Sequence, residues 1–229
     1  LEAQAQAIFK NWFIDFEPFQ EGEFVESELG LIPEGWRVRQ LGSSMVISTK
    51  TYKAKVEPER IVEHYSIPAF DADEYPSFDL SSTIRSNKYY VPRSSFLVSK
   101  LNPRFPRIWH PLHLTNDAVC STEFIVYVPK KPEELAFYYH LVKSDRFYEN
   151  YIAHASGTTG SRQRVLPNDT LSFLYVEPPH EVVAKFCHFA IVILNYLVVL
   201  RKQNTTIATL RDTLLPKLMS GEIEVPIDQ

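Results

Sequence analysis

Two short segments carry side chains suited to holding a polyanion. In Ser99-Lys100-Leu101-Asn102-Pro103-Arg104-Phe105-Pro106-Arg107-Ile108-Trp109, cations alternate with prolines that fix the backbone and aromatics that anchor it. Long cations on a stiffened loop lose less entropy on engaging phosphate than cations on a loose one. Asn102, Arg104 and Arg107 could instead meet base edges, where Asn pairs with adenine and Arg with guanine. The second segment, Ala155-Ser156-Gly157-Thr158-Thr159-Gly160-Ser161-Arg162-Gln163-Arg164-Val165, is small, hydroxyl-rich and basic. Close backbone approach, donors from Thr158, Thr159, Ser161 and Gln163, and the guanidinium groups of Arg162 and Arg164 suit a phosphate chain. A bend with surface cations and a glycine-containing helix terminus account equally for the two segments taken singly.

Catalytic patterns fail by contrast. The Gly157–Arg162 stretch lacks the lysine and spacing of a phosphate-binding loop. The Pro-Pro-aromatic signature with a preceding Asn or Asp, by which base-methylating enzymes hold a flipped amino group, is absent. His110-Pro111-Leu112-His113 offers two imidazoles without a nearby thiol or carboxylate, a poor metal set. Asp71-Ala72-Asp73-Glu74 has no following Glu-x-Lys of a nuclease, and Cys187-His188 falls in a helical region where a small apolar filler beside a solvated imidazole is expected. An enzyme, a nuclease or methyltransferase with a dispersed site, and a protein-only scaffold remain as rivals.

The chain has 229 residues, 45% hydrophobic, with a net charge of −4. That length suffices for one core. The net acidity conceals a strong segregation. Residues 1–34 are acidic except for Lys10, and 57–79 are acidic except for Arg60, whereas 35–56 and 80–116 contain no carboxylate at all. The latter hold Arg37, Arg39, Lys50, Lys53, Lys55, Arg85, Lys88, Arg93, Lys100, Arg104 and Arg107. A surface that mixes signs does not leave such gaps, so folding could gather these cations into a polyanion footprint. Cys120 and Cys187 lack metal-ligand spacing, which suits a reducing cytoplasm. The longest apolar run, residues 189–200, is interrupted by Asn195, so no membrane span is expected. With no basic start, apolar signal core or initiator Met, the sequence reads as an intracellular fragment.

The elements that must position these residues follow from periodicity. Leu1, Ala5, Ile8 and Trp12 form one stripe of a short N-terminal helix, and acidic residues 17–35, with Pro18 and Pro33-Glu34-Gly35, read as a linker. Residues 36–179 mix short β-like runs (36–41, 96–101, 124–128, 173–176) with a helical stretch over 133–155 broken at Ser144-Asp145, an α+β domain of ordinary size. After Pro178-Pro179, Val182, Phe186, Phe189, Ile193, Tyr196, Leu200, Gln203, Ile207, Leu210 and Leu214 recur at alternating steps of four and three, a coiled-coil seam. That helix would be roughly 51 Å long against roughly 24 Å for the N-terminal one, so the chain cannot cover its own seam. Each uncovered large apolar side chain forgoes about 1.5–3 kcal/mol of burial, which implies a partner helix or self-association. Burial of 189–200 against the chain's own domain is the alternative for the first turns.

Several longer motifs belong together. Ile32-Pro33-Glu34-Gly35-Trp36, the 99–109 segment, Cys120-Ser121-Thr122-Glu123-Phe124, the 156–164 segment, and the tail Leu210-Arg211-Asp212-Thr213-Leu214-Leu215-Pro216-Lys217-Leu218-Met219-Ser220-Gly221-Glu222-Ile223 closely resemble the specificity subunit of type I restriction-modification systems. Residues 2–16 look like the end of that family's central conserved helix, and the chain as a whole resembles a carboxy-terminal half. The resemblance implies one target-recognition domain (36–179) between the end of the central helix with a linker (1–35) and a distal coiled-coil helix with its tail (180–229). It implies recognition of one half of a bipartite site on double-stranded DNA, with the helices setting the spacing. It further implies no chemistry and no cofactor in this chain, which would dock modification subunits using S-adenosylmethionine and restriction subunits using ATP and Mg. The family's Glu-Gln pair after Pro-Pro is replaced by Val182-Val183, so the helix start should pack differently. Residues 43–95 match none of these motifs, as expected where base readout varies, and Lys50, Lys53, Lys55, Arg85, Lys88, Tyr89 and Arg93 are the expected groove contacts.

Overall fold

The computed structural model describes residues 1–157 and 163–223. Its helices are α1 (Glu2–Phe13), α2 (Ile67–Asp73), α3 (Leu135–Val142), α4 (Asp145–Ala153) and α5 (His180–Met219). The architecture is α+β, with a short first helix and a long last one around a β body.

Two sheets form that body. One runs in the order Thr51–Tyr52, Lys88–Tyr90, Ala118–Ser121, Ile61–Tyr65, Ser77–Leu80, with Ile61–Tyr65 parallel to Ala118–Ser121 and the other pairs antiparallel. The other, antiparallel throughout, runs Ile108–Trp109, Phe96–Ser99, Phe124–Pro129, Met45–Ser48. Successive side chains on a strand face opposite ways. Leu97 and Val126 therefore enter the layer between the sheets with Tyr65, Trp109 and Cys120, while Phe96, Val98 and Tyr127 face the helices. This two-sided burial explains why the Phe96–Ser99 strand reads as a continuous apolar run.

The helical layer centres on an aromatic knot. Phe186 of α5 meets Phe9 and Phe13 of α1 edge-on at 5.5 and 5.2 Å, and Phe13 meets Phe137 of α3 at 5.0 Å. The buried face of α1 is Ala5, Phe9 and Phe13. It is rotated from the predicted stripe, because α1 lies against both α3 and α5; Ile8 and Trp12 border the core and Leu1 is exposed. The acidic 17–35 stretch is no plain linker either. Phe24–Ser27 pairs with Gly30–Pro33 across a turn that needs Gly30 at φ 93°, and Trp36 packs edge-on against Phe16 and Phe19. The acids line the outside of a hairpin whose Ile32 is buried.

The long helix carries two apolar stripes. Val183, Phe186, Cys187, Ala190 and Leu194 are buried in the body. Of the predicted seam, Phe186 belongs to that inner stripe, a correction caused by α1 and α3 flanking the helix start. Phe189, Tyr196, Ile207 and Leu210 are exposed, whereas Ile193, Leu200 and Leu214 are half-buried. At 40 residues, α5 is long and apolar enough by length and composition to cross a membrane, its best window having mean hydropathy 2.1. Asn195 does not interrupt the helix, but the inner stripe packs into the protein core, and a core helix meets the same criterion of length and composition.

His140 of α3 is fully buried, with Nδ1 2.8 Å from Gln6 Oε1 of α1. Burial, with Lys143 adding to it, lowers its pKa from 6.5 to about 4. Between those values the unfolded chain binds more protons, so this contribution to stability is complete above the unfolded pKa and is lost as pH falls toward 4. Urea unfolding should register a loss of up to about 1.4 kcal/mol per pH unit in that window. His140→Asn should flatten the decline, and an unaltered pH profile would exclude His140 as its source.

Candidate nucleic-acid interface

Strand register brings the two basic segments together. Tyr65 pairs with Cys120, Lys88 with Ser121 and Tyr52 with Lys88, so these strand termini share one end of the first sheet. The second sheet meets that end because Ser121 turns through Glu123 into Phe124, which pairs with Ser99. There the Lys100 N–H donates to the Glu123 carbonyl at 2.9 Å, Val165 N–H to Lys100 carbonyl at 3.1 Å, and Asn102 N–H to Gln163 carbonyl at 2.9 Å. Leu101 bridges Arg164. Lys100, Asn102, Arg104, Arg107, Gln163 and Arg164 thus lie on one edge of the body. Thr158, Thr159, Ser161 and Arg162 fall outside the described residues.

The loop after Lys100 is built rigidly. Asn102 takes φ 52°, a left-handed conformation that Asn tolerates better than most side chains, and its carbonyl accepts the Phe105 N–H at 3.0 Å. Phe105 is 60% exposed at the tip. Arg107 stacks 5.6 Å from the Phe105 ring and donates twice to Asp71 of α2, at 2.6 and 2.9 Å. Arg164 is similarly engaged by Glu123 at 3.1 and 3.2 Å, a contact that raises its pKa. The stretches devoid of acid in sequence therefore acquire carboxylates in space. Arg104 is exposed at the tip beside Phe105, and Lys100 is half-buried.

The cations of the 43–95 segment divide. Lys50 is exposed with its ammonium 5.2 Å from the Tyr90 ring centroid. Lys53 follows the edge strand, Arg85 precedes its neighbour, and Lys55 lies further along the connection; all three are exposed. Lys88 is only 7% exposed, and its Nζ donates to Ser86 Oγ at 2.8 Å and to the Ser86 carbonyl at 3.1 Å. Burial lowers its pKa, and with its ammonium held by Ser86 it is not a groove contact, against the expectation from sequence. Tyr89 is half-buried against the intersheet core. Arg93, its Nη2 2.7 Å from Asn116 Oδ1, lies at the opposite end of the sheet, where Val91 N–H meets the Ala118 carbonyl. It is separated from the basic edge because Lys88–Tyr90 runs antiparallel to Ala118–Ser121.

That opposite end is organised by a fully buried carboxylate with no sequence signature. Glu63 accepts the Thr115 N–H at 2.6 Å, the Thr115 hydroxyl at 3.1 Å and the Tyr65 hydroxyl. Tyr65 oxygen in turn accepts the Leu112 and His113 N–H groups at 2.7 and 3.1 Å. This network pins the loop carrying His110 and His113. His110, lowered by burial and by His113 to a pKa of about 4, lies 5.8 Å from the Tyr139 ring. Among the described residues no group of three or more His, Cys, Asp or Glu is arranged to hold a metal.

A two-sheet body fixed to a long helix is the fold of type I specificity subunits. The HsdS subunit from Thermoanaerobacter tengcongensis aligns with a TM-score of 0.58 at 19% identity, over 90% of this chain and 54% of that one. A chain from a structure described as the basis of complex assembly and conformational transition of the type I R-M system aligns with a TM-score of 0.57 at 20% identity, over 86% and 52%. In sequence, the chain is 27% identical over 241 aligned residues to the type I restriction enzyme MjaIX specificity subunit of Methanocaldococcus jannaschii, covering 98% of this chain and 53% of that protein. The resemblance carried by the motifs is thereby borne out, and the chain spans about half the length of the curated relative it matches. No protein-family model matches it.

Duplex binding measured against salt tests the basic edge. Arg104→Ala should weaken binding to all sequences alike and flatten the log–log salt slope by about 0.9 if one phosphate contact is lost. Asp71→Asn, which releases Arg107, should steepen it. Identical slopes in the parent and both variants would remove this edge from the interface.

Proposed function

We propose that this chain is a DNA-recognition adapter that reads one half of a bipartite duplex target and docks modification and restriction subunits without performing chemistry itself. S-adenosylmethionine, ATP and Mg would be used by those subunits, and the setting would be the cytoplasm. The observation that carries this reading is the alignment of nearly the whole chain with about half of a specificity subunit. One recognition body and one long helix suit one half-site and one half of a helical spacer. The basic edge built from Lys100, Asn102, Arg104, Gln163 and Arg164 would hold phosphates, as Arg107 would on release from Asp71. Lys50, Lys53, Lys55 and Arg85, in the segment that matches none of the family motifs, would reach toward bases.

Selection from a randomised duplex pool, with a type I modification subunit present, tests the reading directly. Enrichment of a short defined half-site is expected. A pool that stays random, or DNA cleavage or methylation by the chain alone with Mg and S-adenosylmethionine, would overturn it.

The outer stripe of α5, Phe189, Ile193, Tyr196, Leu200, Ile207, Leu210 and Leu214, is the surface we assign to a partner helix, from the remainder of a longer protein or from a second copy. Sedimentation at tens of micromolar, the range of weak association, should show the isolated chain associating and Ile207→Glu abolishing this. A monomer throughout would argue against pairing between copies.

A further inference from the structure

Leu194 is the last buried position of α5 and Leu197 the last of its residues packed against the core, so the direction of the helix beyond depends on its remaining contacts with the body. Arg201 makes the most specific of them. Its guanidinium is held by the Glu74 carboxylate, lies 3.5 Å from the Glu74 carbonyl, and stands 3.7 Å from the Glu2 carboxylate of α1. The Tyr75 hydroxyl also meets the Thr205 side chain, one turn further along. On the adjoining flank the helix is not closely packed, since an open groove lies between Leu112 and Leu114 on one side and Val198, Lys202 and Thr206 on the other.

The backbone at Glu74 is unusual. It caps α2 at φ 52°, ψ 38°, a left-handed conformation that glycine adopts freely and a longer side chain disfavours. This residue nevertheless presents both its carbonyl and its carboxylate to one guanidinium. Left-handed non-glycine residues persist where the surroundings over-determine them, and they cluster at functional contacts. The Arg201 and Glu74 side chains are 23% and 38% exposed, a setting in which an ion pair contributes little to stability. Direction is what this pair can control.

We propose that the clamp of Arg201 with Glu74 and Glu2 sets the angle between the recognition body and the rod, and so the spacer length tolerated between the two half-sites of the target. This rests on the reading of the chain as half of a bipartite recognition unit. From Arg201 to Met219 the helix extends roughly 27 Å, so a tilt of about 7° moves its tip by about 3.4 Å, the rise of one base pair. Arg201 is a positioning residue that touches no base, and its loss should alter spacing while leaving the half-site letters intact.

The test is a duplex pool carrying two inverted copies of the selected half-site separated by spacers of graded length, bound by two copies of the chain paired through α5 with modification subunits. The parent should enrich one spacer length; a parent that selects the half-site but no spacer length overturns the clamp. Arg201→Gln and Glu74→Gln should each reduce the preference for that spacer over its one-base-pair neighbours toward unity. The double variant should do no more than either single one, and Arg201→Lys should restore part of the preference. Glu74→Gly separates positioning from stability: relief of the left-handed strain should leave the melting temperature unchanged or raised, while the spacer preference is lost. Retention of the parent spacer preference by Arg201→Gln or Glu74→Gly, with the half-site still selected, overturns the clamp alone. Failure of the parent to select any half-site overturns the functional reading and this inference with it.

Discussion

The molecule depends on the contact between the inner stripe of α5 and the aromatic side chains of α1 and α3. Phe186, enclosed by Phe9, Phe13 and His140, converts a long helix into an arm rigidly rooted in a β body. Aromatic side chains bury large areas and prefer edge-on geometry, so the knot supplies attachment and orientation together. Without it the helix would be an appendage, and no surface on the body would stand in a defined relation to the far end of the rod. Cys187 belongs to this packing: burial raises its thiol pKa to about 11, which leaves it an apolar filler.

The basic edge shows how folding alters a charge pattern. Stretches of sequence without carboxylates suggest bare cations, yet Arg107 and Arg164 are met by Asp71 and Glu123 from other segments. Those partners hold the guanidinium groups in place, and Arg104 at the tip is exposed. A surface organised in this way can exchange an internal carboxylate for an external phosphate, more easily at the Arg164–Glu123 pair than at Arg107, which is less exposed and held by both oxygens of Asp71. The opposite end of the sheets is governed differently, by the buried Glu63 carboxylate whose hydrogen bonds shape the 110–116 loop.

Much of the fold was legible because its signals are local. The strand runs at 96–101, 124–128 and 173–176, the break at Ser144-Asp145 and the long last helix all follow from periodicity and turn chemistry, and each has its counterpart in the structure. The linker reading of 17–35 failed because acidity dominates its composition, whereas Val25, Ile32 and the turn at Gly30 decide its conformation. The α1 stripe was misplaced by a step because a helix packed between two others buries a wider face than a single stripe describes.

The candidate site was legible by residue type and illegible by arrangement. Sequence determined which cations exist, that Pro103 and Pro106 stiffen their loop, and that α5 bears more apolar surface than one short helix can cover. Only tertiary structure decided that Lys88 turns inward, that Arg93 stands at the far end of its sheet, and that Glu74 reaches Arg201. Periodicity and composition report what each residue prefers within a few neighbours, while strand register and helix docking bring together side chains more than a hundred positions apart. Such pairings are set by the packing of the whole body, and no local pattern encodes them.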